Sequence, residues 1–79
     1  MKNQRMLYEI GDEIRYDWKK PYFGAIPYID AISTMGTIND KFGHESGRDL
    51  VERFLCNAQT WKGDVARRIK IELKAMVKR

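Results

Sequence analysis

The segment Lys19–Met35, "KKPYFGAIPYIDAISTM", decides how this chain is folded. Between Pro21 and Tyr28 it holds two prolines, one glycine and three aromatic residues. Pro21 disfavours helical geometry at Lys20, so a helix arriving from the N-terminal side has to stop there. Gly24 is free to take the turn that follows. Pro27 suits the first turn of a new helix, because its missing N–H would have found no partner at that position. The segment thus reads as helix stop, turn, helix start.

Upstream, Leu7, Ile10, Ile14 and Trp18 recur at spacings of three and four and mark one face of a first helix over 3–19. Gly11 falls on that same face and costs about 1 kcal/mol in helix propensity, which points to a place where another backbone comes close. Downstream, Tyr28, Ile29, Ala31, Ile32 and Met35 give a second helix over 26–35, ended by Gly36. "TINDKFGHESG" is a polar connector with two apolar anchors, Ile38 and Phe42, and room for one helical turn. Ser46 followed by Asp49 resembles a capping box and starts a third helix over 47–58, with Leu50, Val51, Phe54, Leu55 and Ala58 on its buried side. Cys56 projects away from that side, so it is either covered by a neighbouring element or exposed. Thr60 is the expected N-cap of a fourth helix over 61–78, in which Trp61, Val65, Ala66, Ile69, Leu73, Met76 and Val77 share one arc of roughly 160° at 100° per residue. The expected fold is all-α, a small bundle of four helices forming a single domain over 1–79.

A chain of 79 residues buries only about 60 to 65% of its unfolded surface and leaves no room for a deep catalytic cleft. Its 43% hydrophobic and 33% charged residues belong to a globular class. No apolar run approaches the 18 or so residues of a membrane span, and "MKNQRMLYEI" lacks the apolar centre of a signal peptide, so a cytoplasmic protein is expected. The single cysteine excludes an internal disulfide and a multi-cysteine zinc site. His44 has Arg48, not a second histidine, four positions later, and the zinc-protease pattern fails. Ser46 is better explained as a cap than as a nucleophile, and "GTINDKFG" lacks the Lys-Ser or Lys-Thr of a phosphate loop. No enzyme activity, cofactor or metal is expected.

The net charge of +4 is placed unevenly: residues 1–60 carry eight Lys or Arg against nine Asp or Glu, residues 61–79 seven against two. Lys74, Lys78 and Arg79 complement the dipole at a helix C-terminus, but Arg67, Arg68 and Lys70 lie too early for that. Asp64 and Glu72 are within reach of Arg68, while Arg67 and Lys70 have no obvious acidic partner. Ile71 projects onto this charged side, opposite the core arc. A solvated face is the first reading of it and a functional basic surface the second. Tyr22, Phe23 and Tyr28 are read first as a cap on one end of the bundle and second as an aromatic edge offered to a partner.

The segments "DWKKPYFGAIPYIDAI" and "VERFLCNAQTWKGDVARRIKIELKAM" together resemble a group of short open reading frames of phages, prophages and conjugative elements of Gram-positive bacteria. That group carries a W-K-x-P-Y-F-G-A-x-P-Y segment and a later F-L-x-N-A-x-T-W-x-G segment. The resemblance implies a mobile-element origin and a small accessory protein that binds something in the host, a class in which inhibitors of host nucleases, anti-CRISPR proteins among them, are prominent. The expected function is therefore non-enzymatic binding of a host protein or protein–nucleic acid complex, with no membrane partner. The candidate contacts are Arg67, Arg68, Lys70, Ile71, Lys74, Lys78, Tyr22, Phe23 and Tyr28. An apolar residue ringed by basic ones, as Ile71 is, also suits self-association with a second copy of the chain. The alternative is a helix-turn-helix module in which basic helix four binds DNA.

Overall fold

Where the first N–H groups of each helix find acceptors determines where these helices begin. In a computed structural model, which describes residues 5–78, α1 (Leu7–Asp17) opens with the N–H groups of Leu7 and Tyr8 donating to the carbonyls of Gly36 and Met35, both at 2.8 Å. The Glu9 carboxylate accepts the Met6 N–H at 2.8 Å. The helix ends at Asp17, earlier than the expected Lys19, with Trp18 as its C-cap; positions 3 and 4 of the expected helix lie outside the described residues. A single 3-10 turn, Phe23–Ala25, leads into α2 (Ile26–Ile32), whose first turn contains Pro27.

α2 stops at Ile32 instead of Met35 because the backbone tightens there, Thr34 and Met35 donating to carbonyls only three residues back. The connector that follows contains no helical turn. It forms β1 (Lys41–Phe42) and β2 (Glu45–Ser46), an antiparallel pair with Lys41 opposite Ser46 and Phe42 opposite Glu45, so the fold is mostly helical and not purely so. Ser46 then caps α3 (Gly47–Cys56), its Oγ accepting the Asp49 N–H at 3.2 Å.

α4 (Asp64–Val77) starts three residues later than its apolar arc suggested, and Thr60 is not its cap. Gly63, the N-cap, has φ +113°, a value that an L side chain resists and that lies outside the helix. Trp61 therefore belongs to the connection between α3 and α4, although it is buried in the core with the helical residues.

The four helices surround one cluster of buried side chains, in which Leu7, Ile10, Ile14, Ile32, Val51, Phe54, Ile69 and Leu73 are the largest fully buried members. Each contributes about 1.5 to 3 kcal/mol of hydrophobic stabilisation. Gly11 is the close approach that its position implied: a Cβ there would stand 2.4 Å from Ser33 Oγ and 3.0 Å from Ser33 Cα. Ser33 cannot easily turn aside, since its hydroxyl donates to the Ile29 carbonyl at 2.8 Å.

Half-buried ion pairs join α4 to the start of the chain. The Arg5 guanidinium donates to Glu13 at 2.7 Å and to both oxygens of Glu72, at 2.7 and 3.0 Å, and Glu13 also accepts a hydrogen bond from Arg68. Hydrogen bonds from Arg68 and Arg5 hold the Glu13 carboxyl below its ordinary value.

Gly11→Ala is expected to lower stability by about 1 to 3 kcal/mol, the clash exceeding the gain in helix propensity, and Ser33→Gly added to it should restore part of the loss. Urea denaturation of the parent, single and double variants checks this. Because Glu13 is more acidic in the folded chain, the unfolded chain binds the extra proton, so its contribution is present above pH 4.5 and lost as pH falls below it. Glu13→Gln should flatten the acid limb of the stability–pH curve.

Candidate functional site

Two connectors, residues 18–25 and 57–63, meet at one end of the helices, and each carries one tryptophan. The Trp18 and Trp61 rings stack with centroids 5.5 Å apart and planes 9° from parallel. Phe54 meets both edge-on, at 6.4 and 6.2 Å, in the arrangement favoured by the ring quadrupoles. Trp61 is held at its polar atoms as well. Its Nε1–H donates to the Asp17 carboxylate at 2.9 Å, and its carbonyl accepts from Lys70 Nζ at 2.7 Å. Burial, followed by the charges of Lys62 and Lys74, holds the Lys70 ammonium below the usual lysine range.

On this support the connectors present rings and lysines to solvent. Tyr22 is 46% and Phe23 77% exposed, their centroids 5.1 Å apart, and Ile26 beside them is 42% exposed. Tyr16, at the end of α1, is 77% exposed with Lys19 Nζ 4.5 Å from its ring centroid. Lys19, Lys20 and Lys62 are exposed, and the two connectors contain no acidic residue. Among the described residues none of these three lysines forms an ion pair. An open groove of about 290 Å³ runs between Tyr22 and Cys56, Asn57, Gln59 and Thr60, and Cys56 is exposed in it.

The residues expected from the sequence to form the site divide into three groups. Tyr22 and Phe23 stand exposed as an edge, whereas Tyr28 is half-buried and packs against the core, in keeping with the cap reading. Arg68 pairs with Glu13 at the surface, and the half-buried Lys70 donates to the Trp61 carbonyl; Glu72, expected within reach of Arg68, pairs instead with Arg5. Arg67 has Asp64 at 3.6 Å, both highly exposed, a geometry worth little in water. Ile71, at 63% exposure, faces solvent, and Lys74 is exposed further along α4; Lys78, expected inside the helix, is its C-cap in extended backbone. Lys19, Lys20, Lys62 and Tyr16 were not singled out by sequence reasoning, although the absence of carboxylates from both connectors was there to be read.

Elsewhere the arrangement offers little chemistry. His44 is exposed at the tip between β1 and β2, Ser46 Oγ is occupied as a cap, and no group of three His, Cys, Asp or Glu among the described residues could hold a metal ion. No described helix is long and apolar enough to cross a membrane. Compared with protein-family models, curated proteins and solved structures, the chain matches none.

Ile71→Asp is expected to leave stability within about 0.5 kcal/mol of the parent, as an exposed helical position should. Thermal melts of the two proteins compare them directly, and a loss several times larger would place Ile71 in the packed interior.

Proposed function

We infer that the protein is a small non-enzymatic helical-bundle protein of the mobile-element type, working in the cytoplasm of a bacterial host by binding a host macromolecule. Its most concrete form is an inhibitor of a bacterial defence nuclease, as the resemblance to short phage and prophage reading frames implies. The observation that carries the binding reading is the connector end, where exposed Tyr22 and Phe23 and three lysines stand on a stacked tryptophan pair. Aromatic residues held on a rigid support lose little conformational entropy when a partner covers them, which makes them effective binding anchors. The exposed Ile71 and Lys74 of α4, with Lys78 just beyond its end, are a second area that the same partner, or a second copy of the chain, could cover.

The helix-turn-helix alternative has less support. Seven residues separate α3 from α4, longer than the usual turn of that motif, and α4 opens with Asp64, whose charge would repel phosphate. Arg68 and Lys70, central to the alternative, are engaged within the fold.

Affinity capture from a Gram-positive host lysate with the parent and Phe23→Ala proteins tests the binding function. The parent should recover a specific partner and the variant roughly tenfold less, with equal melting temperatures. A partner with nuclease activity supports the inhibitor form. Equal recovery by both proteins would remove the connector end from the binding surface, and recovery of nothing specific would remove the reading itself.

A further inference from the structure

The connector end differs from an ordinary charged surface in the way its rings and charges alternate. From Tyr16 to Phe23 the chain reads "YDWKKPYF". Trp18 is buried, and the exposed Asp17 keeps its negative charge while one of its oxygens accepts the Trp61 Nε1–H, so what faces solvent is a ring, a carboxylate, two ammonium groups and two further rings. Across the groove, Gln59 and Thr60 present neutral donors and acceptors, and Lys62 adds a further positive charge. Asp64 borders this end and lies 3.6 Å from Arg67.

We propose that the connector end binds single-stranded nucleic acid, with Tyr22 and Phe23 as stacking platforms for bases and Lys19, Lys20 and Lys62 as partners for phosphates. Every base has a π-face, so a strand can lie over exposed rings without any particular sequence, while ammonium groups between the rings follow its backbone. Paired bases in a duplex keep their faces stacked on one another and offer the rings nothing to cover. An acidic protein would satisfy the same lysines, but it would also have to supply a shaped apolar pocket for each ring, whereas the bases of a strand cover them without further shaping. Here the rings stand beside an open groove. The two connectors contribute no carboxylate of their own, and Asp17 and Asp64 at their borders are outnumbered by Lys19, Lys20 and Lys62. The inference rests on reading this end as the binding surface, and it names the partner's chemistry.

The test is fluorescence anisotropy with a labelled oligothymidylate of roughly twelve nucleotides, an abasic strand of the same length and a duplex, from low to moderate salt. The oligothymidylate should bind more tightly than either of the other two, and its affinity should fall as salt rises. Phe23→Ala and Tyr22→Ala should each weaken it by about 5- to 150-fold, the loss expected for one stacked base. Lys19→Gln combined with Lys20→Gln should reduce the slope of log K against log salt by about 1.4. Equal affinity for the thymidylate and abasic strands, unchanged by Phe23→Ala, would reduce the contact to a generic polyanion effect and overturn the proposal. No binding at low salt overturns it too. If Phe23→Ala nonetheless loses the partner captured from lysate, the binding surface stands and its partner is a protein.

Discussion

The stack of Trp18 on Trp61 is the contact on which the rest of this structure depends. Trp18 is the C-cap of α1, its N–H donating to the Ile14 carbonyl at 2.8 Å, and Trp61 lies between helices, its N–H donating to the Ala58 carbonyl at 3.1 Å. Each ends or follows a helix at a point where the chain must turn, Trp18 after α1 and Trp61 before α4, and their mutual burial brings those turns together. Phe54 against both rings adds α3 to the same cluster. A short chain has few places where one contact can unite three of its helices, and its modest buried surface makes such a contact worth a large share of the total.

The charge of α4 is explained by the same packing. Read along the helix, Arg67, Arg68 and Lys70 look like an excess of positive charge. Folded, Arg68 reaches Glu13 on α1, and Lys70 turns back to the Trp61 carbonyl. Glu72, which seemed destined for a neighbour on its own helix, receives Arg5 from the start of the chain. The basic surface expected along α4 is thereby thinned to Arg67, Lys74 and Lys78. Positive charge without internal partners gathers instead at the connector end, next to the exposed rings.

These shifts define what could be read from residues alone. Periodic apolar spacing located α1, α2 and α3, the Ser46 cap fell where Ser46 and Asp49 implied, and a glycine on the apolar face of α1 marked a real helix crossing. Trp61 misled because its projection at 100° per residue agrees with the core arc of α4, although Gly63 breaks the backbone between them. Strands of two residues are too short to show alternation, so the Lys41–Phe42 and Glu45–Ser46 pair left no pattern to find. Ion pairs such as Arg68 with Glu13 join residues far apart in sequence and become visible only when the helices are placed. The aromatic half of the connector site was legible, since Tyr22 and Phe23 crowd a turn. The lysine half was not, because Lys62 lies far in sequence from Lys19 and Lys20, on a connector that only the stacked tryptophans bring to theirs.

The central claim is that Trp61 is locked between Trp18, Asp17 and Lys70, and that this lock holds the two connectors as one surface. Hydrogen–deuterium exchange of the two indole N–H protons, followed by NMR, measures it most directly. The account predicts that the Trp61 Nε1–H, buried and donated to Asp17, exchanges only through global unfolding, at a rate that tracks overall stability across a denaturant series. Exchange of that proton at the rate of a solvent-exposed indole, insensitive to stability, would contradict it.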